Sequence, residues 1–228
     1  MIAIVNFKAY PAGVGKNAVV LAKTCASVAA HFPSVTVMVA VQAADIRAVH
    51  EAVSLPVLAQ SVDDVGLGAH TGSVLVESVK ENGAAGSLLN HSECRLSAAT
   101  VKNALGRLRA HDLLGVVCAK NAAEAKKFDG GEYRADFIAL EPPALIGGRV
   151  SVSSARPALI GSVARALKTP LIVGAGVHEA QDVCVALALG AKGVLVSSDI
   201  LLAKDPRKEL MELLSGFETP VNLSKRPV

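Results

Sequence analysis

The stretch Leu171-Ile172-Val173-Gly174-Ala175-Gly176, continued by residues 179–189 and by Gly193-Val194-Leu195-Val196-Ser197-Ser198, decides the fold. Its two ends are unbroken apolar runs, rather than alternating ones, which suits strands covered on both faces. Between them, residues 179–189 carry apolar side chains at helical spacing and stop at Gly190, a residue suited to the position just past a helix. Strand, helix and strand in so short a span make a parallel crossover unit.

The same unit recurs toward the N-terminus. Further strand-like runs lie at 2–7, 36–41, 57–60, 86–90, 115–120 and 137–141, and helix-period segments at 18–30, 45–53, 97–111, 156–167 and 206–214. Ser97 is placed to cap one helix, Asp205-Pro206 to open the last, and Gly83 to follow a helix end. Eight strand starts, 21 to 34 residues apart, leave room each time for one crossover helix. An open doubly wound sheet usually stops at five or six strands. Eight such units without a break in composition predict an α/β chain folded as a single closed (β/α)8 barrel, a TIM barrel, as one domain over 1–228. Residues 218–228, rich in Pro and polar side chains, read as a flexible tail.

Composition narrows the function. The chain of 228 residues is 51% hydrophobic, 19% charged and 3% aromatic, with net charge +3 and no Trp. Clustered Lys and Arg with stacking aromatics would mark nucleic-acid binding, and neither is present, so no nucleic acid is expected. No apolar stretch reaches the length of a spanning helix, so no membrane is expected either. The N-terminal residues have neither a basic segment nor a small-residue cleavage site, and Cys25, Cys94, Cys118 and Cys184 are unpaired in spacing. Both features predict a cytoplasmic protein with reduced thiols.

Barrel enzymes of this type place chemistry at the C-terminal ends of their strands. There the sequence puts Asn6 and Lys8 after the first run, Asn90, His91 and Ser92 after the fourth, and Glu141 after the sixth. The seventh run ends in Gly174-Ala175-Gly176 and the eighth in Ser197-Ser198-Asp199. Taken alone, Lys8 reads as a solvated loop end, Glu141 as a helix cap, and the glycines as a tight turn. Gly174-Ala175-Gly176 lacks the continuation of a dinucleotide site, and Gly13-Val14-Gly15-Lys16 lacks phosphate-loop spacing. Together at one mouth, a carboxylate, a His and a Lys point to proton transfer beside a carbonyl. Turns after the last two strands suit a phosphate, and the glycine-bearing segment after Glu141 suits a closing loop.

Several segments resemble the triosephosphate isomerase family in its short archaeal branch. They are Asn6-Phe7-Lys8, His70-Thr71-Gly72, Leu89-Asn90-His91-Ser92-Glu93, Glu141-Pro142-Pro143-Ala144-Leu145-Ile146-Gly147, Gly174-Ala175-Gly176 and Gly193-Val194-Leu195-Val196-Ser197-Ser198. They stand in family order and span almost the whole chain. The resemblance implies interconversion of D-glyceraldehyde 3-phosphate and dihydroxyacetone phosphate, with triose phosphates as substrates and no metal or organic cofactor. It implies Glu141 as the base and His91 as a neutral electrophile, with Ser92-Glu93 opening a short helix. Lys8 would attract the substrate and stabilise the enediolate, Asn6 would help hold the substrate, and Glu93 would stand behind Lys8. The phosphate would rest on backbone amides near Ile146, Gly147, Gly174, Gly176, Ser197 and Ser198. Pro142, Pro143, Ala144, Leu145, Ile146, Gly147 and Gly148 would form a lid.

Cys94, Ala144 and Gly176 depart from the pattern of many relatives. The resemblance also implies a homodimer or homotetramer, with its dimer contact through the loop from Val62 to Ser73. A mean hydropathy of +0.44 fits an apolar surface that needs a partner. A pentulose phosphate epimerase would need metal ligands, and the strand ends offer no His/Asp set. A binding or scaffold barrel would have no use for Glu141, His91 and Lys8 together.

Overall fold

The computed structural model describes residues 1–143 and 157–219. Eight parallel strands close on themselves in sequence order: β1 (Ile2–Asn6), β2 (Thr36–Val41), β3 (Val57–Ala59), β4 (Gly86–Leu89), β5 (Leu114–Ala119), β6 (Phe137–Leu140), β7 (Leu171–Val173) and β8 (Gly193–Val196). The ring shuts where β1 pairs β8, with Ile4 opposite Leu195, while β1 also pairs β2, with Ile4 opposite Met38.

Strand period then sorts the side chains into two layers. Ile4, Met38, Ala40, Leu58, Leu88, Val116, Cys118, Ala139, Ile172 and Leu195 form one buried cluster, the filling of the barrel. Their strand neighbours, among them Val5, Val39, Val117, Leu140, Val173 and Val194, belong to the larger cluster shared with the helices. This double coverage is why the strands read as unbroken Val, Ile and Leu runs. It also sets the site: two residues beyond Ile4, Leu88, Ala139, Ile172 and Leu195 stand Asn6, Asn90, Glu141, Gly174 and Ser197, on the barrel-facing side of the rim.

The crossovers hold α1 (Lys16–Ala29), α2 (Ile46–Ala52), α3 (Val76–Glu81), α4 (Ala98–Ala110), α5 (Ala122–Ala125), α6 (Pro157–Ala166), α7 (Ala180–Ala188), α8 (Ser198–Leu201) and α9 (Pro206–Ser215). Ser97 caps α4 by accepting from the Thr100 amide at 3.0 Å. Asp205 caps α9 by accepting from the Lys208 amide at 3.1 Å, with Pro206 in the first turn. Gly83 and Gly190 lie past helix ends with positive φ, as the sequence predicts.

Two features differ from the sequence reading. The short helices α5 and α8 have no counterpart in it and α3 is signalled only by Gly83 past its end, all three being too short for a 3.6-residue period to show. The predicted strands also run long, by one to three residues, at the C-terminal end of every strand but β2. Asn90 leaves the strand region with φ 58 and Gly176 with φ 63. Among the described residues no helix is long and apolar enough to cross a membrane. Residues 144–156 and the tail from 220 lie outside the described residues.

Candidate active site

Lys8 follows β1 in a left-handed backbone conformation, φ 49, which costs a non-glycine residue about 1–3 kcal/mol unless its surroundings hold it. Three side chains do so. Asn6 Oδ1 accepts from the Lys8 amide at 3.0 Å, and the Lys8 carbonyl accepts from Gln60 Nε2 at 2.8 Å and Gln42 Nε2 at 3.1 Å. Gln42 also donates to Gln60 Oε1 at 2.9 Å, locking the two amides together. The Lys8 ammonium, thus aimed, donates to Glu93 Oε1 at 2.7 Å and keeps two further N–H groups.

His91 is presented by a clasp around Asn90. Asn90 Nδ2 donates to the Cys118 carbonyl at 2.9 Å and to Glu124 Oε1 at 3.2 Å. Its Oδ1 accepts from the Leu96 amide at 3.0 Å, and Arg95 donates to its carbonyl at 2.9 Å. These bonds draw residues 91–96 into a turn rather than a helix, with the Cys94 amide donating to the His91 carbonyl at 2.9 Å. The expected short helix at Ser92-Glu93 is therefore absent. One bond orients the ring instead: the Glu93 amide donates to His91 Nδ1 at 3.2 Å. A backbone N–H only donates, so Nδ1 is the unprotonated nitrogen and Nε2 carries the hydrogen. Burial, then the charge of Lys8, lowers the His91 pKa to about 4, so the ring is neutral in neutral solution.

That Nε2 lies 3.4 Å from Glu141 Oε1. Glu141 is 1% exposed and leaves β6 with its amide donating to the Ala119 carbonyl at 2.8 Å. Burial raises its pKa to about 7, against the pull of the Ser92 backbone N–H, the Cys118 thiol and the charges of Arg95 and Lys8. Cys118, from the barrel filling, lies beneath it, and burial followed by the Glu141 charge pushes that thiol far up. Gly174 makes room for this carboxylate, since a Cβ there would stand 2.8 Å from Glu141 Cγ.

Lys8, His91, Ser92 and Glu141 share a cleft of about 400 Å3 with Gly174, Gly176, Ser197 and Ser198. Asn6 borders a second cavity of about 220 Å3 beside Lys8, Gln60 and Glu93. The sequence thus placed these residues at one mouth, with two refinements. The Gly174 amide is taken by the Leu140 carbonyl at 2.9 Å, so Gly174 supplies space rather than a donor. Asn6 supports Lys8 instead of lining the larger cleft. Of the expected lid, Pro142 and Pro143 are described, buried and exposed respectively, whereas Ala144, Leu145, Ile146, Gly147 and Gly148 lie outside the described residues.

Sequence reasoning placed Asp199 after the last strand without a role and missed Gln42, Gln60 and His178. Each glutamine stands two residues beyond a barrel-facing side chain, Ala40 or Leu58, and strand period could have found both. His178, on the loop after β7, meets Asp199, in the first turn of α8, at the cleft, a pairing that no local pattern reveals. Among the described residues no group of three or more His, Cys, Asp or Glu side chains is arranged to hold a metal.

Residues 1–215 match the family model described as triosephosphate isomerase. The triosephosphate isomerase of Methanothermus fervidus is 41% identical over 219 residues, covering 94% of this chain and 97% of that protein. The one from Cenarchaeum symbiosum is 42% identical over 218 residues, covering 94% and 96%. A solved structure, that of triosephosphate isomerase from Bartonella henselae, superposes with a TM-score of 0.71 at 17% identity over 95% of this chain and 97% of that one, a likeness of fold.

Proposed function

Because this chain belongs to the triosephosphate isomerase family and interconverts D-glyceraldehyde 3-phosphate and dihydroxyacetone phosphate, a step of glycolysis and gluconeogenesis, we propose that Glu141, His91 and Lys8 carry that reaction. Glu141 removes a proton from the carbon beside the carbonyl and returns it to the neighbouring carbon. His91 donates its Nε2 hydrogen to the carbonyl oxygen as charge develops there. Lys8 supplies the permanent positive charge beside the enediolate, with Glu93 holding its ammonium in place. The observation that carries this assignment is a buried carboxyl with pKa about 7 facing a neutral imidazole at 3.4 Å. A base tuned near working pH is both ionised often enough and basic enough to act. The reacting carbons then lie between β1, β4 and β6, and the phosphate at the other end of the cleft, by Gly176, Ser197 and Ser198.

Turnover of D-glyceraldehyde 3-phosphate by wild type and Glu141→Gln, followed across pH, tests the assignment. The wild-type kcat/KM should rise with pH through about 7 and show no break from His91 above pH 5, while the variant is nearly inactive. Substantial activity in Glu141→Gln would remove Glu141 as the base.

The chain is also assigned to self-association as a homodimer or homotetramer through residues 62–73. That loop is pinched at its base, where the Asp63 amide donates to the Val74 carbonyl at 2.9 Å and Asp63 Oδ2 accepts from the Val74 amide at 2.7 Å. At its tip Leu67 is 77% exposed. The cavity of about 220 Å3 beside Lys8 offers such a tip a seat on a second copy. Free thiols, exposed Cys94 included, suit the reducing cytoplasm.

A further inference from the structure

Six buried side-chain polar atoms have no hydrogen-bond partner among the described residues, and four of them belong to residues lining the larger cleft: Glu141 Oε2, Ser92 Oγ, Ser197 Oγ and His178 Nε2. Burying a polar atom unpaired costs free energy, so such a concentration marks a place built to receive a polar ligand. Glu141 and Ser92 lie at the end assigned to the reacting carbons. His178 and Ser197 lie at the other end.

His178 stands on the turn after β7, its backbone amide donating to Asp182 Oδ2 at 2.9 Å. Its Nδ1 is 3.2 Å from Asp199 Oδ2, in the first turn of α8 directly after β8. An ionised carboxylate only accepts, so Nδ1 is the donor, and the other ring nitrogen is left for a ligand. Asp199 by itself is the wrong charge beside a phosphate dianion. Paired with an imidazolium it becomes the group that holds the ring's orientation and its proton.

We propose that His178, backed by Asp199, binds the phosphate of the triose phosphate through Nε2. This rests on the placement of the phosphate at the β7 and β8 end of the cleft. On binding, Nε2 takes up a proton from solvent, so that one N–H is donated to Asp199 and the other to a phosphate oxygen. The pair then presents a charge-assisted donor next to the backbone amides of the neighbouring turns.

The test compares D-glyceraldehyde 3-phosphate with phosphate-free D-glyceraldehyde in His178→Gln, and measures inhibition by inorganic phosphate. KM for the phosphorylated substrate and Ki for phosphate should each rise about 10- to 100-fold, as for loss of a charge-assisted hydrogen bond, with a much smaller change for D-glyceraldehyde. Adding Asp199→Asn to that variant should restore part of the phosphate affinity, since the unpaired carboxylate is then gone. Ser198→Asp, which puts a negative charge in the turn assigned to the phosphate, serves as the reference. Normal phosphate binding in His178→Gln with weakened binding in Ser198→Asp would overturn the role of His178 alone. Normal binding in both would overturn the phosphate placement. Equal losses for phosphorylated and phosphate-free substrate would make His178 structural, and no recovery on adding Asp199→Asn would overturn the pairing.

Discussion

Glu141→Gln removes the proposed base, and its stability relative to wild type should grow with pH. Burial raises the Glu141 carboxyl from 4.5 to about 7. Between those values the folded protein holds a proton that the unfolded chain has released, so this group's contribution to stability is full below about pH 4.5 and lost as pH rises through about 7. The gap, at 1.36 kcal/mol per pH unit, corresponds to about 3 kcal/mol. Between pH 5 and pH 8 the wild type should lose about 2.5 kcal/mol through this residue. The neutral amide of the variant loses nothing. Glu141 Oε2 has no partner among the described residues, so an amide N–H there costs about 1–3 kcal/mol, but equally at every pH.

The quantity to measure is therefore the stability of variant minus wild type, from denaturant unfolding at pH 5 and at pH 8. Protein concentration is held fixed, because the proposed self-association would add to apparent stability. His91 acts in the opposite sense: its pKa, lowered to about 4, makes its contribution grow as pH rises from about 4 toward 6.5. Being present in both proteins, it largely cancels from the difference. The difference should move in favour of the variant by about 2.5 kcal/mol, or roughly 5–10 °C in Tm. A variant and wild type that stay parallel from pH 5 to pH 8 would refute the claim that burial strains the Glu141 carboxylate.

Two further outcomes follow from contacts around the same residues. In Gly174→Ala the new Cβ would meet Glu141 Cγ at 2.8 Å and displace the carboxylate; kcat should fall about 10- to 100-fold with a smaller change in KM, and an unchanged kcat would mean that the base has slack. Leu67→Asp should lower the sedimenting mass from dimer or tetramer toward monomer and reduce turnover with it, whereas a wild type that sediments as a monomer at micromolar concentration would sink the assigned interface.

The barrel was legible because a strand covered on both faces leaves an unbroken Val, Ile and Leu run, and eight such runs admit few arrangements. The rim was less legible for the same reason. Gly174 to Gly176 and Ser197-Ser198 continue the runs in composition, but the backbone leaves the sheet at the first positive φ or missing ladder bond. Lys8, His91 and Glu141 could be picked out because charged groups at strand ends are sparse in so apolar a chain. Their supports could not: the Gln42–Gln60 amide pair meets only where β2 and β3 lie side by side. The turn at residues 91–94 departs from the helix that the resemblance implied, since Asn90 Oδ1 captures the Leu96 amide six residues on and extends the chain toward the cap at Ser97.

The costs in this molecule are not spread evenly, and their distribution follows the chemistry. The barrel filling is aliphatic apart from the sulfur-bearing Met38 and Cys118. Among the described residues, two of the three non-glycine residues with positive φ, Lys8 and Asn90, stand at the rim, together with the raised carboxyl of Glu141 and four of the six orphaned polar atoms. Each is a departure that a stable fold would discard unless neighbours enforced it, and the neighbours are visible: three side chains on the Lys8 backbone, and four hydrogen bonds and an ion-paired Arg95 around Asn90. Relaxing the rim should therefore improve stability while lowering turnover, because the same misfit that raises the energy of the empty cleft is what a bound triose phosphate relieves.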